Sequence, residues 1–145
     1  MHILLQFHYN LGMLLYSASK GQDRSGAVFQ VADQINHGIS LIQPEMRVEF
    51  VGLNFSAGSR AISRCYKTAY SYLKNAFALL PRNSWSSHYE LSLRVFLLYA
   101  KSAYSCGKVK KAYKALKTIL QKGRCANDKL DAYLLHVTVS LTHVC

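Results

Sequence analysis

The sequence predicts an all-α protein of antiparallel helix pairs, about seven helices forming a single domain over residues 1–145. Three observations carry this expectation. Apolar residues recur three and four apart along most of the chain, which is the spacing of one helical face. A motif of small residues with Leu or Ile at that spacing occurs twice, as Ala69, Leu73 and Ala76 and, more loosely, as Ala112, Leu116 and Ile119. Half of the residues are hydrophobic and only two are proline, a composition that disfavours both disorder and a turn-dense β fold.

The first helix spans Met1 to Tyr16, with Leu4, Leu5, His8, Leu11, Gly12 and Leu15 at helical spacing, and is expected to be buried. It is shorter than the ~20 apolar residues of a membrane span and has no basic start, so it reads as neither anchor nor signal. Residues 17–26 form a breaker-rich loop. Val28, Val31, Ala32, Ile35, Ile39 and Ile42 make a second apolar stripe. Pro44 and Glu45 suit a helix start, since proline tolerates the first turn and a carboxylate complements the dipole. That helix should run to Ala57 and break near Gly58; the next runs from Ala61 to Leu80 and stops at Pro81.

Asn83 or Ser84 caps the following helix, whose apolar positions include Leu91, Val95, Leu98 and Ala103, and Gly107 closes it. Val109, Ala112, Tyr113, Leu116, Ile119 and Leu120 define the next stripe, which Gly123 ends. Asn127 or Asp128 opens a last helix through Leu130, Leu134, Val137 and Leu141. No strand is expected. The last helix lacks a pair partner, and both ends read as truncated.

Small residues on one helix let a neighbour approach closely, and the Leu or Ile between them fills the groove. Ala57 precedes Ala69 by the same interval by which Ala100 precedes Ala112. This is the pattern of a tetratricopeptide-like repeat with Pro81 closing the unit, although the two units are further apart than the ~34 residues of that repeat. The extra residues lie around 83–91. The positions expected to carry the packing are Ala57, Ala69, Leu73, Ala76, Trp85, Tyr89, Ala100, Ala112 and Leu116.

Charge narrows the partners. The chain carries 18 Lys and Arg against 7 Asp and Glu, a formal net charge of +11, which attracts polyanions, anionic lipid or acidic protein faces. Nine of those bases lie between Lys101 and Lys129, with Asp128 the one acid among them. Lys108, Lys110, Lys111, Lys114 and Lys117 form a possible polyanion-binding face, with Lys110, Lys114 and Lys117 opposite the apolar stripe. The same pattern serves a helix that only needs a solvated outer face. The stacking aromatics of a single-strand binder are not expected on this face.

Catalytic and cofactor chemistry finds little support. Gly21 and Gly26 have the spacing of a phosphate-binding loop, but Ala27 and Val28 follow where a lysine and a hydroxyl would reach the phosphates. His2, His8, His37, His88, His136 and His143 are scattered, with no pair at the spacing of a helical zinc site. Cys65, Cys106, Cys125 and Cys145 have neither metal-ligand spacing nor the density of a disulfide framework; they read as reduced structural thiols in a cytoplasmic protein. Asn54-Phe55-Ser56 matches a glycosylation acceptor but falls inside a helical pattern. No nucleophile stands with a base and an acid. No catalytic residue, metal or cofactor is expected, and the chain is not expected to be an enzyme.

Several words in the sequence point to a family: Leu53-Asn54-Phe55-Ser56-Ala57-Gly58, Leu79-Leu80-Pro81-Arg82-Asn83-Ser84-Trp85, and His88-Tyr89-Glu90-Leu91. Ala103-Tyr104, Ser105-Cys106-Gly107, and Asp128-Lys129 with Tyr133 add to them. Over residues 28–140 the chain resembles the helical-repeat segment that follows the AAA/STAND-type ATPase module of multi-domain sensor histidine kinases and serine/threonine kinases. Residues 1–27 then form a leading helix and loop. The resemblance implies a non-catalytic scaffold that couples an ATPase module to a sensor kinase in phosphorelay signalling, with those modules as its protein partners. It departs from the family at Asn83, where an acid is usual, and along Lys108 to Lys117, where the family carries an acidic helix. The alternative is a free-standing basic repeat protein that binds RNA or acidic peptides.

Overall fold

Each long helix packs against the long helix before it. A computed structural model describes residues 1–21 and 26–143. It is all-helical, with α1 (His2–Ala18), α2 (Val28–His37), α3 (Arg47–Ala61), α4 (Tyr66–Leu79), a single turn α5 (Ser84–Ser87), α6 (Tyr89–Ser105), α7 (Val109–Lys122) and α8 (Ala126–His143). Two 3-10 turns, Ile39–Leu41 and Pro44–Met46, join α2 to α3. The seven long helices match the expected number, and α5 occupies the extra stretch between the repeat units. Helices pair in sequence as α1 with α2, α3 with α4 and α6 with α7; α4 then packs on α6, and α8 lies against α7 and α6.

The alanines set how closely the helices meet. Ala57, Ala69, Ala76, Ala100 and Ala112 are fully buried, with Leu73 and Leu116 beside them. Burying a leucine side chain is worth about 1.5–3 kcal/mol. Aromatic rings form the contact between α4 and α6: Phe77 stacks on Tyr99 with centroids 4.4 Å apart and lies 4.8 Å from Phe96, which also meets Trp85 edge-on at 5.0 Å. Such pairs add about 0.5–1.5 kcal/mol each beyond their area.

Gly58 does not break α3. The helix continues through Ala61, and α4 begins at Tyr66 rather than at residue 61. A Cβ on Gly58 would lie 2.6 Å from Leu73 Cγ, so the glycine is there to admit α4. The actual break falls at 62–65. Gly107 behaves as expected, at φ +72 between α6 and α7. The amide of Gly107 donates to the Tyr104 carbonyl at 2.9 Å and that of Lys108 to the Ala103 carbonyl at 2.8 Å, the two bonds that close a helix through a left-handed residue.

The two outermost helices differ from expectation. Leading helix α1 buries only Gly12 and Tyr16, while Ile3, Leu4, Phe7 and Leu14 are exposed, because α1 packs mainly on α2 and leaves its other face open. In α8 the apolar row Leu130, Leu134, Val137 and Leu141 faces solvent, and Ala132 and Val139 are the positions buried against the core. Helix register makes the choice: Ala132, Val139 and half-buried Leu135 share one face and pack on the same core. The stripe of α2 also ends early: Gly38 stops the helix, and Ile42 is buried from the following turn.

Polar pairs tie the layers. Asn54 is fully buried and its amide exchanges hydrogen bonds with that of Asn36, 2.7 and 3.0 Å, while also donating to the Phe50 carbonyl. The glycosylation-like triplet is therefore engaged in the α2–α3 contact. Arg47, at the start of α3, donates to the Leu79 and Ala78 carbonyls at the C-terminus of α4, where a cation complements the helix dipole.

Two glycines of α3 should respond oppositely to alanine. Gly58→Ala forces Leu73 aside and should cost about 1–3 kcal/mol. A Cβ on Gly52 would meet nothing within 4 Å, so Gly52→Ala should gain about 0.5–1 kcal/mol of helix propensity. Thermal melts of both variants check the pair.

Candidate functional site

The lysine row on α7 follows from its binary pattern. Ala112, Ala115, Leu116 and Ile119 are buried, which turns Lys110, Lys111, Lys114 and Lys117 to solvent; Lys108 is exposed in the preceding turn. Across the α4 side, Lys67 and Lys74 are also exposed, two turns apart on one helical face. With Lys108, Tyr66, Tyr70 and Cys106 they line a groove of about 550 Å³ between α4 and the α6–α7 turn. Lys111 Nζ lies 3.5 Å from the Tyr70 hydroxyl, at the outer limit of a hydrogen bond, and joins the α7 row to this groove.

Aromatics are present beside the lysines after all. Tyr66 is 51% exposed, and Tyr70 lies on Tyr99 with centroids 5.8 Å apart. Neither belongs to α7, so no pattern within that helix could reveal them. Tyr113 of α7 is exposed as well and packs near the His136 ring at 5.0 Å. A neighbouring groove of about 520 Å³ between α2 and α4 has mixed charge, with Asp33, His37 and Lys67 in its lining. There Asp33 accepts from the Tyr72 hydroxyl at 2.6 Å, and burial followed by that bond pushes the Tyr72 pKa strongly up.

Folding separates the packing positions from this face. Trp85 is half-buried and meets Tyr89 edge-on at 5.7 Å; Tyr89 is buried. The Tyr89 hydroxyl donates to Asp128 at 2.6 Å and accepts from the Arg124 amide at 2.7 Å, while the Arg124 guanidinium lies 3.9 Å over its ring. Tyr89 thus fastens the start of α6 to the α7–α8 turn. The hydroxyl bond from Tyr89, helped by Cys125 and nearby amides, holds the Asp128 carboxyl below its ordinary range. Burial and the same carboxylate push Tyr89 up. Sequence reasoning placed Tyr89 as packing; its polar role needed the turn brought back to it.

The cysteines sort differently from expectation, and two histidines stack. His8 and His37 stack with centroids 4.7 Å apart; His8 Nδ1 meets Gln34 Oε1 and His37 Nδ1 meets the Asp33 carbonyl, both at 2.7 Å. Among the described residues no group of three or more His, Cys, Asp or Glu is placed to hold a metal. Cys65, Cys106 and Cys125 are free thiols, but Cys65 and Cys125 are exposed rather than packed in the core. The Thr68 hydroxyl and nearby amides lower the Cys65 pKa. Four residues of the candidate phosphate loop, 22–25, and Cys145 lie outside the described residues.

Among the described residues no helix is long and apolar enough to cross a membrane. Comparison of the chain with protein-family models, with curated proteins and with solved structures finds no match.

Tyr89→Phe should lower the melting temperature, since it removes the bond to Asp128 and leaves the Arg124 amide without its acceptor. The folded-state pKa of Asp128 is depressed, so its stabilisation is present above the unfolded carboxylate pKa and is lost as pH falls through the folded value. The melting difference between Tyr89→Phe and the parent should accordingly shrink on acidification below about pH 4, near the ordinary aspartate pKa. Melts taken between neutral and acid pH measure it.

Proposed function

We propose that the chain is a non-catalytic helical-repeat scaffold, in the role that its resemblance implies: a cytoplasmic segment coupling an ATPase module to a sensor kinase in phosphorelay signalling. Its partners on this reading are those two modules. The observation that supports it best is the pair of apolar end faces. Exposed Leu130, Leu134, Val137 and Leu141 form one stripe on α8, and Ile3, Leu4, Phe7 and Leu14 expose apolar surface on α1. Stacked helix pairs bury a continuous core by adding neighbours, and an outward apolar face is where the next module docks. A shift of that docking would be passed through packed, bistable contacts rather than through chemistry.

The reading is tested by sequencing the transcript across both ends of this frame. A Gly-x4-Gly-Lys-Ser/Thr loop on one side and a phosphoacceptor histidine helix on the other support the coupling role; a transcript with neither overturns it.

The end face has its own test. Leu134→Glu combined with Leu141→Glu alters exposed positions, so the melting curve should stay within about 0.5 kcal/mol of the parent. Self-association of the isolated chain in sedimentation velocity, and its binding of an apolar dye, should fall.

A further inference from the structure

Between residues 62 and 122 the chain has twelve Lys or Arg and a single acid, Glu90. Glu90 stands in the first turn of α6, at the opposite end of that helix from Ser105 and Cys106. The groove between α4 and the α6–α7 turn is thus lined by Lys67, Lys74 and Lys108 without a carboxylate. Lys111 adjoins it through Tyr70, and exposed Lys114 and Lys117 extend the charge along α7 by roughly 10 Å at 1.5 Å per residue. The positive charge is a track that begins in a groove.

Lysines alone describe any solvated helix face. The groove adds features that solubility does not require. Tyr66 keeps half of its surface in water at the groove wall, and Tyr70 is braced by Tyr99. An open ring is a platform for a base, and every base has a face to offer it. Ser71 and Ser105 supply hydroxyls that both donate and accept, which ammonium groups cannot do. A ribose 2′-hydroxyl has the matching chemistry. The neighbouring α2–α4 groove shares Lys67 and Ser71 with this one but contains Asp33, and so lacks its uniform sign.

We infer that the groove formed by α4 and the α6–α7 turn binds single-stranded RNA. Lys67, Lys74 and Lys108 hold phosphates at its floor and rim, the α7 lysines continue along the backbone, and Tyr66 stacks a base. An acidic peptide would use the lysines but leave Tyr66 and the serine hydroxyls without a role. This goes beyond the scaffold reading and does not depend on it, since the groove is formed within the chain itself.

The test is fluorescence anisotropy of the whole chain with a labelled short oligouridine RNA, across a salt series. Affinity should fall steeply with salt, with a log–log slope of about −0.7 per phosphate neutralised. Lys67→Glu with Lys108→Glu should abolish most binding, whereas Lys20→Glu with Arg82→Glu, an equal change in net charge away from the groove, should leave it nearly unchanged. Tyr66→Ala should weaken binding at least about fivefold, the lower end for base–aromatic stacking, without altering the salt slope. All variants change exposed residues, so each is compared at matched melting temperature. Equal loss from the control pair reduces the effect to net charge and overturns the inference. So does an unchanged affinity of Tyr66→Ala, or a polyglutamate peptide or single-stranded DNA that binds as tightly as the RNA.

Discussion

At Gly58, α3 comes so near α4 that a Cβ would sit 2.6 Å from Leu73 Cγ, and the rest of the helix stack is built outward from that contact. With the two axes held close, Ala61 and Ala69 are buried in one cluster with Leu73, and Ala57 is buried in another with Tyr72. The opposite side of α4 then delivers Phe77 and Tyr70 to Tyr99 and Phe96 of α6, so one close approach positions the next unit. The same device recurs where α1 meets α2: a Cβ on Gly12 would lie 2.8 Å from Ile35 Cδ1.

Apolar packing is non-directional, and the polar pairs supply the register it lacks. Asn36 with Asn54, Tyr72 with Asp33 and Tyr89 with Asp128 each join different helices through short, buried or half-buried bonds. Sliding one helix along another by a turn would leave these groups without partners, at about 1–3 kcal/mol for each buried one. Arg47 does comparable service by closing the C-terminus of α4 from the neighbouring helix.

Two surfaces of opposite chemistry result. The end helices carry apolar rows, whose association weakens little with salt, while α4 and α7 carry ammonium groups beside tyrosines, whose attraction is screened within about 10 Å at 0.1 M salt. The two would therefore engage partners independently and under different conditions. The two proposed roles, a coupling scaffold and an RNA groove, are compatible in one chain for that reason.

The fold class, the number of long helices and the buried alanines were legible in the sequence, because period and residue size are local properties. The α7 lysine row was legible for the same reason: one strongly amphipathic helix has only one way to face a core. Tertiary structure alone decided what Gly58 does, since a glycine that breaks a helix and one that admits a neighbour look alike until the neighbour is placed. It also decided which stripe of α8 is buried: Ala132, Leu135 and Val139 share the face toward the core, and Leu130 and Leu134 fall on the other. The candidate groove was beyond local reading as well: its tyrosines come from α4 and its lysines from both α4 and the α6–α7 turn, and only the folding of one helix pair against the next makes them neighbours.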